Sequence, residues 1–512
     1  MYYLCPILFN NMYKNEERKR KSTYDHVIKY TGLFGGVQGV SLFTAILRNK
    51  LAAEILGPAG LGIISLYNSA ANLLSNSTNF GISFSAVRHV SELYEQGDKE
   101  ALDKFIQVVR TWSMATALLG ILVCCLFSPL LSHYFDGELD WLSFVYFSPV
   151  VGMMAITGGE LAILKGTRRL RRVAMQALIN SFCALVISVP LFYWWGEDAI
   201  LWSLLLVAMS TMLTTIYFSF GSHPFTFNCN LKYSYTEGKR MICLGMAFIF
   251  AGILGSGVDF LIRAYMMKEG SEAVVGMYNA GYLLTVTYAS MIFTAMDADF
   301  FPRLSAVNHD IGQANIVINR QIEASILLIS PMLVALMVAL PVLLPLFYNE
   351  EFLPVIGMAQ CAIFGMYMRS IALPISYLSL AKGRSWVYLF TEAVYDVVAV
   401  LVIIFGYSVG GLRGAGIALS SVAAFDLLLV WGTARWVYGF SLFGKALKLL
   451  FLQLPLGVLT FLVTISAEGF LYWLLGGLCV CCSGFLSFRI LHRETTLLQT
   501  LWEKITKRLG KQ

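Results

Sequence analysis

The chain has 512 residues, of which 57% are hydrophobic and only 13% charged, with a mean hydropathy of +0.69. An ordinary soluble domain is about half apolar and about a quarter charged, so the soluble globular classes are excluded. The net charge of +6 would suit a nucleic-acid partner only if the charges shared one face, and here they segregate between long apolar runs.

The apolar residues Met1 to Phe9 precede the basic stretch Lys14 to Lys21, the reverse of a signal peptide's order, so no cleaved leader is expected and Met12 is a plausible start. Runs long enough to span a bilayer follow at about 31–54, 61–87, 111–135, 141–164, 173–195, 199–221, 241–267, 274–300, 322–348, 353–380, 386–407, 412–438, 444–466 and 468–490. The fold class this predicts is an all-α integral membrane protein of about fourteen transmembrane helices. Basic residues alternate across these spans. Apart from Arg48, Lys50, Arg263, Lys268, Arg369 and Arg413, every Lys and Arg falls on one side, while the opposite connections carry Asp136, Glu138, Asp140, Glu197, Asp198, Glu350 and Glu351. By the positive-inside rule the basic side is cytoplasmic, which puts both termini there. Between Arg88 and Arg110, Leu93, Ala101, Phe105 and Val109 recur among charges, which allows either an amphipathic helix at the inner surface or a solvated connector. The ten cysteines lie mostly in apolar runs without metal-ligand spacing and read as packing residues.

An internal repeat organises the spans. Ala45-Ile46-Leu47-Arg48, with Glu54 and Tyr67-Asn68 after it, resembles Phe260-Leu261-Ile262-Arg263, with Glu269 and Tyr278-Asn279 after it. Gly36 and Gly39 precede one arginine as Gly252 and Gly255 precede the other. Six spans separate the copies, so they are parallel repeats about an axis along the membrane normal, which implies two six-helix lobes around a central cavity. The expected division is a cytoplasmic segment 1–30, an N-lobe 31–221, a linker 222–240, a C-lobe 241–438, two further spans in 439–490 and a cytoplasmic tail 491–512.

Charge inside the spans is costly, about 2.5 kcal/mol or more for each Arg at the bilayer centre, so it marks function or a partner. Arg48, Arg263 and Arg369 fall within predicted spans. Arg48 and Arg263, at matching repeat positions, would face each other across the lobes. Asp259, four residues before Arg263, could instead make that pair a packing contact, and Arg48 could snorkel outward. Glu392 and Asp396 share one helical face beside Tyr388 and Tyr395, an arrangement suited to binding a proton or sodium ion, or else to pairing with Arg369, Lys382 or Arg384. Asp426 is a further intramembrane acid, whereas Asp297, Asp299, Glu323 and Glu160 lie near the inner boundary and are expected to stay hydrated. The second span carries Asn68, Asn72, Ser75, Asn76 and Asn79 at spacings that draw one stripe, able to hydrogen-bond sugars or a neighbouring helix. Pro331, Pro341 and Pro374 supply bending points for alternating access. No phosphate-binding Gly-rich loop, catalytic constellation or metal site is read, so uphill transport requires an ion gradient or a partner.

Leu47-Arg48-Asn49-Lys50-Leu51-Ala52-Ala53-Glu54-Ile55-Leu56-Gly57-Pro58-Ala59-Gly60-Leu61-Gly62, followed by the polar second span and Phe80-Gly81-Ile82, resembles the first hairpin of bacterial O-antigen and polysaccharide flippases. That family belongs to the multidrug/oligosaccharidyl-lipid/polysaccharide exporter superfamily. The resemblance implies movement of undecaprenyl-diphosphate-linked oligosaccharide from the inner to the outer leaflet of the bacterial cytoplasmic membrane. It also implies a cationic cavity, with Arg48, Arg263 and Arg369 on the diphosphate and Asn68, Asn72 and Asn79 on sugars. Asp259, Glu392, Asp396 and Asp426 are the candidates for ion coupling. No cofactor is expected beyond a coupling H+ or Na+ ion. Partners would be the lipid-linked glycan, the bilayer and, at most, other polysaccharide assembly proteins, with no place for nucleic acid. A multidrug exporter of cations, with an acidic and aromatic cavity, is the nearest alternative. A membrane polysaccharide polymerase or ligase is a third reading, against which the short external loops argue.

Overall fold

The computed structural model describes residues 5–134, 141–221 and 231–494, and every regular element among them is helical. The helices are α1 (Cys5–Thr78), α2 (Ile82–Gln96), α3 (Lys99–Tyr134), α4 (Trp141–Gly166), α5 (Leu170–Trp195), α6 (Ala199–Phe220), α7 (Leu231–Glu269) and α8 (Glu272–Tyr282). They continue as α9 (Tyr288–Ala306), α10 (Ile311–Phe347), α11 (Val355–Ala381), α12 (Ser385–Tyr438), α13 (Gly444–Ser466) and α14 (Gly469–Glu494).

Ten of the described helical stretches are long and apolar enough to cross a membrane. Three of these, of 40, 50 and 54 residues, exceed the roughly 20 residues one crossing needs, and each is broken near its middle. α1 breaks at Gly57, whose φ of 64° and ψ of −168° suit glycine alone, with Pro58 opening the next helical segment. A short 3-10 turn at Gly196–Asp198 separates α5 from α6. α12 folds back at Gly410 and at Gly411, the latter with φ 55°. Between α8 and α9 the helix runs on through a π-helical turn at Leu283–Thr287, so 272–306 forms one more element of spanning length. Among the described residues there are therefore fourteen helical segments of spanning length in the expected order, but several begin well before their sequence-based starts: α3 at Lys99 against 111, α7 at Leu231 against 241 and α10 at Ile311 against 322.

The second span departs in the other direction, by ending early. Its helix stops at Thr78 rather than reaching 87, because Phe80 and Gly81 take left-handed backbone angles of φ 47° and 65°. α2 then begins a new direction. Ile82, Ala86 and Val90 pack on Phe105, Ile106 and Val109 of α3 and on Ala162 and Ile163 of α4, with Val87 and Leu93 at the margin. Its outer face carries Arg88 bonded to Glu92 at 3.0 Å. The basic stretch after the second span is thus an amphipathic helix whose apolar face is covered by protein.

The described residues group into two compact units. One draws on Met1–Leu51, Thr78–Leu126 and Val145–Gly245, the other on Ala52–Ser77, Phe127–Phe144 and Met246–Gln512. In the second unit α13 and α14 pack against α10. Gln453 of α13 is fully buried and ties the last two helices together, donating to Ser487 Oγ at 2.9 Å and accepting from Ser483 Oγ at 2.7 Å. Tyr472 of α14 donates to the carbonyl of Val338 on α10 at 2.8 Å.

Candidate functional site

In the second unit, the part of α1 beyond Gly57 crosses α8 in glycine-to-glycine contact. A Cβ on Gly62 would lie 1.9 Å from the Glu272 carbonyl oxygen, and a Cβ on Gly276 would lie 1.9 Å from the Pro58 carbonyl oxygen. The relation is reciprocal: Gly62 and Gly276 each stand one helical turn beyond the residue, Pro58 or Glu272, that opens their segment. Two backbones approach this closely only where neither carries a side chain.

Arg263 of α7 sits against this crossing. Its guanidinium donates from Nε to Ser65 Oγ at 2.9 Å and from Nη2 to Asn279 Oδ1 at 3.3 Å. Ser65 and Asn279 occupy equivalent places in the two crossing helices, so one arginine binds both copies of the repeated element. Its Nη1 lies 2.9 Å from Asp259 Oδ1 and also donates to the Asp259 carbonyl at 3.0 Å. The arginine side chain is 7% exposed and its carboxylate partner 46% exposed. The ion pair anticipated from the four-residue spacing is therefore formed, with the acid open and the base enclosed. Sequence reasoning missed Ser65 and the glycine crossing. It noticed Asn279 only as part of the Tyr-Asn repeat, which the structure shows to be out of register by about one turn.

Beside this centre runs an exposed ladder. Asn68, Asn72 and Asn76 are all exposed along one face of α1, and Asn76 donates to Ser256 Oγ of α7 at 2.6 Å. The expected stripe narrows to these three. Ser75 is buried, and Asn79 lies beyond the helix end, buried and donating to Ser83 Oγ at 2.8 Å. Asn79 belongs to the first unit and shapes the turn into α2. The helix ends at Thr78, one residue short of the stripe's last position.

Arg369 of α11 lies half-buried within electrostatic reach of Glu392 and Asp426 of α12 and of Tyr282 and Tyr395. Glu392 accepts a hydrogen bond from the Tyr388 hydroxyl, and Asp396 is buried one turn away. The fold of α12 at Gly410 and Gly411 is what returns Asp426 to this neighbourhood. Glu392, Asp396, Asp426 and Arg369 thus form one polar cluster in the second unit, with α8 contributing Tyr282.

In the first unit Arg48 is half-buried, its Nη2 3.5 Å from Asn49 Oδ1. The unit's most enclosed charges are elsewhere. Arg110 of α3 and Glu160 of α4 pair through Nε to Oε1 at 2.8 Å and Nη2 to Oε2 at 3.3 Å, with side chains 5% and 6% exposed. Ser219 of α6 donates to Glu160 Oε2 at 2.5 Å, and the Phe220 ring lies 4.4 Å from the Arg110 guanidinium carbon. This corrects the expectation that Glu160 stays hydrated: nearness to a span's end did not matter, because three helices close over it. Glu323 is also mostly covered and pairs with Lys445 at 3.2 Å. The side chains of Asp297 and Asp299 lie outside the described residues.

Residues 51–357 match the family described as polysaccharide biosynthesis protein. No curated protein matches the sequence. Among solved structures, the lipid II flippase MurJ in an inward closed conformation is similar with a TM-score of 0.68 at 14% identity, over 90% of this chain and 99% of that one. An inward-facing MATE family multidrug resistance transporter of the MOP superfamily is similar with a TM-score of 0.62 at 14% identity, over 77% of this chain and 94% of that one. For the Vibrio cholerae MATE transporter VcmN the values are 0.54 and 12%, over 82% and 99%. At these identities the likeness is one of fold: the chain has the all-α membrane architecture of MOP superfamily transporters.

Proposed function

Because this chain belongs to the polysaccharide biosynthesis protein family, we propose that it is a flippase carrying undecaprenyl-diphosphate-linked oligosaccharide, an O-antigen or other surface-polysaccharide repeat unit, from the inner to the outer leaflet. It works by alternating access in the bacterial cytoplasmic membrane, with both termini in the cytoplasm and the repeats forming two lobes, 31–221 and 241–438. The observation that carries the reading is the enclosed Arg263 guanidinium, paired to the half-open Asp259 beside the exposed Asn68, Asn72 and Asn76.

Guanidinium matches phosphate oxygens in a planar fork, and in a setting of low dielectric that match strengthens. A diphosphate reaching Arg263 must displace Asp259, so one anion is exchanged for another. A proton or sodium ion on Asp259 weakens the pair and favours the exchange, which couples ion and headgroup at a single cation. Asn68 and Asn72 offer amide donors and acceptors to sugar hydroxyls, and Arg48 and Arg369 are further anion contacts. Glu392, Asp396 and Asp426 supply the remaining ion-coupling groups, and the polyprenyl chain stays in lipid. The test is export of surface glycan in cells lacking the endogenous flippase. Arg263→Ala and Arg369→Ala variants that insert normally are expected to abolish it. Wild-type export by both would overturn the assignment.

A second reading has one observation in its favour: around Arg369, three carboxylates and Tyr282, Tyr388 and Tyr395 make a setting suited to organic cations. Gradient-driven uptake of a cationic dye into proteoliposomes, lost in Asp426→Asn, would favour that reading.

A further inference from the structure

α13 begins and α14 ends beside the start of α10, and the three helices leave between them a groove of about 630 Å³. That is within the range of about 300–1,000 Å³ usual for small-molecule sites. Arg320, Glu323, Ala324 and Leu327 of α10 line it at spacings that share one helical face. Leu327 stands about 10 Å along the axis from Arg320, so this face runs from charge into the apolar part of the span. Phe443, just before α13, and Ile490 and Leu491 of α14 make the remaining walls apolar.

The walls are fastened to one another. Asn319, fully buried on α10, accepts from the Phe443 backbone N–H at 2.6 Å and donates to the Ser441 carbonyl at 3.0 Å. Gln453 ties α14 to α13 further along.

The charges at the mouth themselves line the groove. Lys445 Nζ lies 3.2 Å from Glu323 Oε2, with the acid's side chain 16% exposed and the lysine's 49%. Arg320 is exposed one turn before Glu323, and no hydrogen bond or ion pair joins it to another described residue. Two cations therefore face one acid, and the acid is committed to the lysine. An apolar groove with one uncompensated guanidinium at its exposed end is complementary to a monoanionic amphiphile: a phosphodiester at the mouth and a hydrocarbon chain within.

We propose that this groove binds an anionic phospholipid of the leaflet that meets the start of α10. Arg320 and Lys445 hold the phosphate, and one acyl chain lies along Leu327, between Phe443 and Ile490. Glu323 weakens the site, because it offsets the charge of Lys445. None of the residues assigned to the transported headgroup takes part, so the site stands or falls separately from that assignment.

The test is native mass spectrometry of the full chain, titrated in detergent with phosphatidylglycerol or phosphatidylethanolamine. The wild-type protein is expected to retain phosphatidylglycerol in preference. One basic residue near an anionic lipid is worth about a five-fold change in binding, so Arg320→Gln is expected to weaken phosphatidylglycerol about five-fold. Glu323→Gln removes the charge that offsets Lys445 and is expected to tighten phosphatidylglycerol by about the same factor, which a merely structural role for the acid would not do. Ala324→Trp fills the groove with the three charges in place and is expected to reduce retention of both lipids. Equal retention of the two lipids by the wild type would overturn the proposal. So would wild-type affinity in Arg320→Gln, or unchanged or weaker binding in Glu323→Gln. Displacement of phosphatidylglycerol by equimolar polyprenyl phosphate would overturn the choice of occupant.

Discussion

Replacing Arg110 by Met tests whether the buried charges of the first unit hold three helices together. The pair is enclosed on both sides, with Arg110 and Glu160 joined at two points and Ser219 completing the carboxylate's partners. Without the arginine, Glu160 keeps only the Ser219 hydroxyl and stays in the helix interface. Removing one member of a buried pair costs about 3–5 kcal/mol, and a lost cation–π contact such as that with Phe220 adds up to about 2. A loss of about 4 kcal/mol is close to a thousand-fold in the unfolding equilibrium. Replacing Arg110 and Glu160 together by Met removes both desolvation penalties, and the double variant should lie within about 1 kcal/mol of the wild type. Unfolding in mixed micelles, followed by tryptophan fluorescence, measures all three proteins. If Arg110→Met costs less than about 1 kcal/mol, or if the double variant is no more stable than that single one, the pair does not act as described.

Gly62→Leu and Gly276→Leu should each cost about 1–3 kcal/mol, since each side chain would enter the other helix's backbone. The double variant should cost less than the sum, because helices already parted by one leucine accommodate the second, and the same unfolding assay reports it. Changing Asn68 and Asn72 to Ala leaves stability within about 0.5 kcal/mol, as exposed positions do, while surface-glycan export falls. Loss of stability without loss of export would remove those residues from the substrate surface. Gln453→Leu strands the Ser483 and Ser487 hydroxyls and should loosen α14 by about 1 kcal/mol, read as faster proteolysis of the last helix. As pH falls below the ordinary carboxylate range, α2 should lose helical support as Glu92 is protonated. Arg88 holds its carboxyl below the usual range, so this contribution is present above the unfolded-state pKa and disappears as pH falls through the folded one. Circular dichroism of Glu92→Gln, which should lack that pH dependence, checks this.

The spans were legible because a bilayer imposes its thickness on the sequence, and because Gly57 and Gly411 are local interruptions whose backbone angles few other residues adopt. The Asp259–Arg263 pair was legible for the same kind of reason, since a spacing of four within one helix fixes a face. The end of the second span was not. Its apolar composition runs on through Ile82 and Val87, and what turns that stretch away is a packing surface on α3 and α4 that the local sequence does not display.

Composition and the alternation of charge by themselves determined that the chain is a many-span helical membrane protein, because solvation by lipid acts on each segment separately. Tertiary structure alone decided which polar groups meet. Ser65 and Asn279 reach the same guanidinium through a crossing of two distant helices, Glu160 is enclosed by helices that begin far from it in the chain, and Asp426 returns to Arg369 through a bend. A hydrogen bond or an ion pair depends on distances of a few ångströms between residues far apart in sequence, as Ser65 and Arg263 are, and only the packing of whole helices sets those distances.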